Sequence, residues 1–352
     1  MDKRLLTGNE AAVLGALMGG CTHFFGYPIT PASEIAEHAA YYFNLSGRTF
    51  LQAESEVSAI NMVYGAASGG AKVMTASSGP GIALMGEALS YLAGSQLPAV
   101  IIDMQRSGPG LGNIWPEQSD YNMVVKGGGH GSYSNIVLAP SSVQEMFDFT
   151  KISFDLAQKY RVTVFILADG YIGQMMESIT LSEDVIGNER QSWALYGDKE
   201  SKGNLITSIF MSTEKQSDHN EKLQSIYRKI ESEIVDYEEI ETEDADVVFI
   251  AYGIVSRICH SAVTHLREEG HKVGLFRLKT LFPFPKKRIK ELSESNKRII
   301  VVEMSNGQMR DDVILASGNL EIESYLTYGG IMPKVEKLIE MAIGRNKDGS
   351  SN

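Results

Sequence analysis

Short apolar runs alternate with longer segments in which apolar positions recur every three or four residues, and this alternation begins at the start of the chain. Thr7 or Asn9 is placed to cap a helix ending near Met18, with Ala11, Leu14, Leu17 and Met18 on one side. The pattern then predicts a strand over 23–27, a helix over 32–43, a strand over 49–53 and a helix over 54–69. A strand over 72–77, a helix over 81–93 and a fully buried strand over 99–104 follow. After a glycine-rich section come a strand over 136–139, a helix over 141–159 and a strand over 162–168. Short apolar strands alternating with helices of this length predict an α/β fold: a parallel sheet with both faces covered.

Periodicity fades from about residue 184. Residues 188–217 carry few regular signals, 219–237 reads as a charged amphipathic helix, and an acidic run over 238–246 leads into a new apolar strand at 247–252. The alternation then restarts, with a helix over 257–269, strands over 272–278 and 298–303, and helices over 286–293, 308–316 and 335–343. We therefore read three parts: a first α/β unit over 1–184, a connector packed on its neighbours over 185–243, and a smaller α/β unit over 244–352. A structureless loop as long as this connector is improbable in a compact protein. No fixed-period repeat is visible, which excludes a solenoid.

Composition narrows the function more than the fold. The 352 residues are 43% hydrophobic and 22% charged, ordinary for a globular protein. A net charge of −12 without any basic run leaves nothing to neutralise phosphates, so nucleic acid is not expected as a partner. No apolar run reaches membrane-spanning length, and residues 1–4 do not lead into a secretory core, so a cytoplasmic chain with no membrane association is expected. Cys21 and Cys259 are the only cysteines, too few for an iron–sulfur cluster. The seven histidines show no metal-site spacing, and no metal ligand is assigned.

Four segments could carry chemistry. Gly26-Tyr-Pro-Ile-Thr-Pro31 leaves a strand as a loop stiffened by two prolines, at the edge where parallel sheets bind ligands; it could equally be a plain strand-to-helix turn. Glu54 and Glu56 open the next helix. In helical phase Glu56 shares a face with Ile60, Val63 and Ala67, whereas Glu54 falls with Ser58, Asn61 and Gly65. Glu56 is thus the acid expected to be buried, either as a functional group or as a first-turn carboxylate favouring the helix dipole. Ser77-Ser-Gly-Pro-Gly81 and Gln105-Arg-Ser-Gly-Pro-Gly110 each follow a strand. The first offers close backbone approach and a helix amino end, the second an arginine able to grip a carboxylate, and either could be a turn alone. His130, in Lys126-Gly-Gly-Gly-His-Gly131, reads as structural. Neither GxGxxG nor GxxxxGK[ST] occurs, so nicotinamide-dinucleotide and P-loop sites are unsupported.

In order and spacing these segments resemble the α-type subunits of the 2-oxoacid:ferredoxin oxidoreductases. The resemblance extends through Leu138-Ala-Pro-Ser-Ser142, Ala251-Tyr-Gly253, Arg277-Leu-Lys-Thr-Leu-Phe-Pro283 and Glu303-Met-Ser-Asn-Gly-Gln-Met309 and covers all but the connector. The stretches 127–131 and 303–309 are similar to the branch acting on branched-chain 2-oxo acids. The resemblance implies a pyrimidine-type thiamine diphosphate domain followed by a transketolase C-terminal-like domain. It implies coenzyme A-dependent oxidative decarboxylation of a 2-oxo acid, 3-methyl-2-oxobutanoate before 2-oxoglutarate or pyruvate, with electrons passing to ferredoxin. Glu56 would hydrogen-bond N1′ of the aminopyrimidine and favour its 4′-imino form. Thr30 would bind an oxygen of the substrate and Arg106 would neutralise its carboxylate. Tyr27, Pro28 and Ile29 would wall the pyrimidine, and Ser78 and Gly79 would also face the cofactor. Such enzymes hold the diphosphate through Mg²⁺ on a Gly-Asp-Gly motif. Here the nearest pairs are Asp169-Gly170 and Gly197-Asp198, and neither completes the motif. A β-type partner subunit is therefore expected to bring the diphosphate, Mg²⁺ and an iron–sulfur cluster, alongside γ- and ferredoxin-like δ-type subunits where these are separate chains. A non-catalytic assembly subunit of the same complex is the alternative.

Overall fold

The computed structural model describes residues 3–182, 184–320 and 322–344; the readings made on residues 1–2 and 345–352 lie outside the described residues. The chain opens with β1 (Lys3–Thr7) and α1 (Gly8–Met18), which Thr7 caps by accepting a hydrogen bond from the Glu10 amide. Then come β2 (His23–Gly26), α2 (Ser33–Leu45), β3 (Thr49–Gln52), α3 (Glu56–Ser68), β4 (Val73–Ser77), α4 (Gly79–Gly94) and β5 (Ala99–Gln105). A short α5 (Tyr121–Val125), β6 (Ile136–Leu138), α6 (Val143–Tyr160), β7 (Thr163–Asp169), α7 (Gly170–Gln174) and β8 (Met176–Thr180) complete the first stretch. After the connector follow α8 (Thr213–Glu233), β9 (Tyr237–Ile240), β10 (Val247–Tyr252), α9 (Gly253–Glu268), β11 (Val273–Leu278) and β12 (Thr280–Phe282). The chain ends with α10 (Lys286–Glu294), β13 (Arg298–Glu303), α11 (Gln308–Ser317), β14 (Glu323–Leu326) and α12 (Val335–Ile343).

The principal sheet has the order β12-β6-β7-β5-β4-β2-β3 and is parallel apart from β12, which runs antiparallel to β6. From β2 the chain moves outward to β3, then returns to the other side of β2 to lay down β4. That reversal opens a crevice at the carboxyl ends of β2 and β4, the usual place for a ligand in an open α/β sheet. α1 packs on α6 and α2, and α3 on α4. The core beneath is mainly apolar; Phe24, for example, stacks on Phe50 at 5.6 Å. The second sheet, β14-β13-β10-β11-β9, is parallel except for β9.

Several boundaries differ from the sequence reading. The helix expected over 219–237 runs over Thr213–Glu233, and Tyr237–Ile240, read as helix end and acidic run, forms an edge strand on β11. The acids there are paired: Glu238 accepts from Arg277, and Glu239 accepts from Arg288. The helix expected from Glu54 begins two residues later, at Glu56, because the Ser55 hydroxyl accepts from the Ser58 amide and sets the cap there. β12 lies within 244–352, yet it extends the sheet of the first unit. The two parts are also joined by Gln118. Its side chain donates to Tyr252 O at 3.1 Å and accepts from the Met304 amide at 3.0 Å.

Candidate active site

Near the crevice the sequence-singled residues fall into two contacts, Thr30 with Arg106 and Glu56 with Ser77 and Gly81. β2 ends at Gly26 and delivers Tyr27, Pro28 and Thr30 exposed, with Ile29 half-buried. Asn9 pins the end of this loop, donating to Pro31 O at 3.1 Å and to Glu34. Arg106, just beyond β5, donates to Thr30 O at 3.0 Å and to Leu111 O at 3.1 Å. Thr30 and Arg106 are therefore in contact, and the guanidinium is held by backbone carbonyls while its Nε stays buried without a partner.

Glu56 is the first residue of α3 and only 6% exposed, whereas Glu54 is exposed and accepts from the Ser58 hydroxyl. Burial thus follows the helical phase. The Glu56 carboxylate lies against Gly81: a Cβ there would sit 2.7 Å from its Oε1 and closer still to Ser77 Oγ. Among the described residues none hydrogen-bonds this carboxylate. Ser78, at the cap position of α4, makes no capping bond, and both Ser77 Oγ and Ser78 Oγ are buried without partners.

In front of the α4 amino end lies a cleft of about 560 Å³. Gly79, Pro80, Arg106, Asp120, Asn306 and Gln308 are among its lining residues; Tyr27, Pro28, Ile29, Thr30, Glu56 and Ser78 are not. The segment 303–309 reaches the site because Glu303, fully buried at the end of β13, accepts from the Met309 and Arg310 amides and starts α11 there. Burial raises the Glu303 carboxyl.

Three aspartates were missed. Asp103, in the middle of the apolar strand β5, is fully buried with both carboxylate oxygens unpartnered, and burial together with the neighbouring Asp120 pushes it well above the usual range. Asp120 lines the cleft. Burial and the charge of Glu117 raise it to about 7, against the opposing pull of Arg106. Asp169, capping α7 through the Tyr171 and Ile172 amides, is raised by burial to about 6. A lone carboxylate inside Ala99-Val-Ile-Ile-Asp103 was a visible signal; Asp120 carries none in its local sequence. His130 lies exposed in its turn, with its carbonyl accepting from the Ser90 hydroxyl. Cys21 and Cys259 are buried and unbridged, and burial lifts the Cys21 thiol to about 12. Among the described residues no group of three or more His, Cys, Asp or Glu is placed to hold a metal ion, and no helix is long and apolar enough to cross a membrane.

Known proteins resemble this chain along most of its length. Residues 14–239 match the family model described as pyruvate flavodoxin/ferredoxin oxidoreductase, thiamine diphosphate-binding, and residues 245–338 match pyruvate:ferredoxin oxidoreductase core domain II. The chain is 52% identical over 341 residues to ketoisovalerate oxidoreductase subunit VorB of Methanothermobacter thermautotrophicus, covering 97% of each. It is 36% identical to the 2-oxoglutarate synthase subunit KorA of Methanothermobacter marburgensis, covering 97% of this chain and 99% of that one. Among solved structures, the 2-oxoglutarate:ferredoxin oxidoreductase of Magnetococcus marinus with 2-oxoglutarate, coenzyme A and succinyl-CoA bound superposes with a TM-score of 0.90 at 28% identity. That match spans 97% of this chain and 64% of the other. A split-gene transketolase at 11% identity and a TM-score of 0.55 shares the fold alone. The two matched domains and the relatives at 52% and 36% identity lead to one assignment: this chain belongs to the thiamine diphosphate-binding 2-oxoacid:ferredoxin oxidoreductase family.

Proposed function

We propose that the chain supplies the pyrimidine-binding half of a thiamine diphosphate site in a hetero-oligomeric oxidoreductase. The complex oxidatively decarboxylates a branched-chain 2-oxo acid such as 3-methyl-2-oxobutanoate, transfers the acyl group to coenzyme A and passes electrons to ferredoxin. The carrying observation is Glu56, a carboxylate 6% exposed that takes no hydrogen bond from any described residue and is accommodated by the missing Cβ of Gly81. A buried carboxylate left this way needs a polar partner from outside the chain, and a protonated ring nitrogen fits that need.

When bound, thiamine diphosphate supplies the carbanion chemistry of decarboxylation. This chain would hold and exchange a proton: the Glu56 carboxyl would hydrogen-bond pyrimidine N1′ and fix its protonation, as a positioned general acid–base does. Tyr27, Pro28 and Ile29 would wall the ring, with Ser78 and Gly79 at the α4 amino end. Arg106, already oriented by two carbonyls, presents its remaining N–H groups to the substrate carboxylate, and Thr30 offers a hydroxyl to the adjacent oxygen. Mg²⁺, the diphosphate site and an iron–sulfur cluster are assigned to a β-type partner subunit.

The cleft supports a monocarboxylic substrate. Arg106 is the one cation among its lining residues, and Glu117 and Asp120 stand beside it. A second carboxylate, as in 2-oxoglutarate, would meet like charge there, whereas Pro80, Ala83 and Met123 suit a branched apolar group. The test is Glu56→Gln in the assembled complex, assayed with coenzyme A, methyl viologen and a panel of 2-oxo acids. Assembly should persist while turnover falls by about 100-fold or more. Undiminished turnover, or preference for a dicarboxylic acid, refutes the catalytic or the substrate assignment respectively.

A further inference from the structure

Behind the cleft lies a row of polar side chains for which the reaction as described has no use. Ser77 ends β4 and is the register partner of Asp103 on the parallel strand β5, so both side chains stand on one face of the sheet. Ser77, Ser78 and Asp103 are fully buried, and their side-chain oxygens take no hydrogen bond from any described residue. One end of the row meets Glu56, because Ser77 Oγ and Glu56 Oε1 both crowd the point where a Gly81 Cβ would be. The other end meets Asp120, whose Oδ2 is likewise buried and unpartnered, and whose Oδ1 lies 2.7 Å from the corresponding point on Gly79. Asp120 and Gly79 line the cleft.

Orphaned buried oxygens are costly, and proteins normally satisfy them with ordered water. Thr75 and Thr163 carry unpartnered hydroxyls elsewhere in the same sheet, but among the described residues only the row from Ser77 to Asp120 runs between Glu56 and a cleft-lining residue, and it marks a wet seam there. We propose that Ser77, Asp103 and Asp120, with the water between them, form a proton path from the Glu56 carboxyl to the cleft. The inference rests on the role given to Glu56 above and adds how that group exchanges its proton once substrate and partner subunit cover it.

The transfer balances at every step. A proton leaves the Asp120 carboxyl for a bridging water, Asp103 accepts one oxygen's proton as it releases the other's, and the Ser77 hydroxyl does the same toward Glu56. Water in the cleft reprotonates Asp120, so the reverse sequence discharges Glu56. The groups facing this path are suited to it. Burial and its acidic neighbour push the Asp103 carboxyl well above the usual range, while Asp120 is raised to about 7 between Glu117 and Arg106, with the buried phenol of Tyr252 also within its field.

The experiment uses the assembled complex. Difference infrared spectroscopy without substrate should show a protonated carboxyl that outlasts the exposed carboxyls as the pH rises and disappears in Asp103→Asn, and a second carboxyl titrating near pH 7 that disappears in Asp120→Asn. Ser77→Ala, which removes one hydroxyl from the row, should slow the single-turnover rate roughly tenfold and raise its solvent deuterium isotope effect, with the KM for the 2-oxo acid unchanged. A merely structural hydroxyl would not move the isotope effect. If Ser77→Ala keeps the wild-type isotope effect, or the high-pH carboxyl signal survives in Asp103→Asn, the path is refuted even though Glu56→Gln is inactive. A fully active Glu56→Gln instead overturns the role of Glu56 while leaving the Asp103 signal intact.

Discussion

Replacing Gly81 by alanine should separate stability from function. Gly81 is the third residue of α4, and its backbone is not in the left-handed region, so alanine meets no conformational barrier. In a helix interior that change alone gains about 1 kcal/mol, and somewhat less this near the end. The space, however, is taken: the new Cβ would fall 2.7 Å from Glu56 Oε1, 2.9 Å from Glu56 Cγ and closer to Ser77 Oγ. Each side chain forced off its rotamer costs about 0.5–1.5 kcal/mol, and overpacking of this kind typically costs about 1–3 kcal/mol. The two effects leave a net loss of roughly 1–2 kcal/mol, too small to unfold a chain of this size. Relieving the overlap moves the Glu56 carboxylate by something like 1 Å, a misplacement that lowers the rate of a positioned catalytic group by about 100-fold. Urea unfolding of the chain and viologen-linked turnover of the complex measure the two effects separately. If Gly81→Ala turns over at the wild-type rate with its fold intact, Glu56 is not the group whose position matters.

Arg106→Lys should raise the KM for the 2-oxo acid by about tenfold or more while leaving assembly intact, because an ammonium cannot keep both carbonyl contacts and a two-point grip on a carboxylate. An unchanged KM places the carboxylate elsewhere. Gln118→Leu strands Tyr252 O and the Met304 amide in a buried junction and should cost about 2–4 kcal/mol, seen as a lowered urea midpoint; a loss under 0.5 kcal/mol would mean the junction is held by packing alone. Burial raises the folded Asp169 carboxyl from its ordinary 3.8 to about 6, so the folded chain keeps a proton that the unfolded chain releases. Its contribution to stability is complete below about pH 4 and is lost as the pH rises through about 6. Asp169→Asn, which keeps the acceptor for the α7 amides, should flatten that decline in urea titrations between pH 4 and pH 7, and parallel wild-type and variant curves would contradict it.

What was legible in the sequence was what is encoded locally. β2, β4, β5 and β7 announce themselves as apolar runs, and the burial of Glu56 rather than Glu54 follows from counting residues along a helix. The elements missed depend on partners far away in the chain. β1 and β8 pair from Lys3–Thr180 to Thr7–Met176, and β12 reaches the first sheet by pairing with β6. Neither a five-residue nor a three-residue segment shows which sheet edge it will find. The strand hidden at the start of the acidic run was missed for a related reason: its partner β11 and the arginines that neutralise its acids, Arg277 and Arg288, come from later in the chain.

The site makes the same point with its glycines. In Ser78-Gly-Pro-Gly81 the two glycines look like turn chemistry, valued for unusual backbone angles. Neither Gly79 nor Gly81 adopts a positive φ, so backbone freedom is not their use here. Each instead leaves room for a carboxylate from another segment: Asp120 against Gly79 and Glu56 against Gly81. One turn at the reversal of strand order thereby brings two acids from different segments to either side of the α4 amino end, one lining the open cleft and one buried. A Cβ at either position would drive its acid away. The motif is therefore better understood as a pair of sockets than as a hinge, and the identity of what fills them is fixed by segments that no local reading of residues 78–81 could reveal.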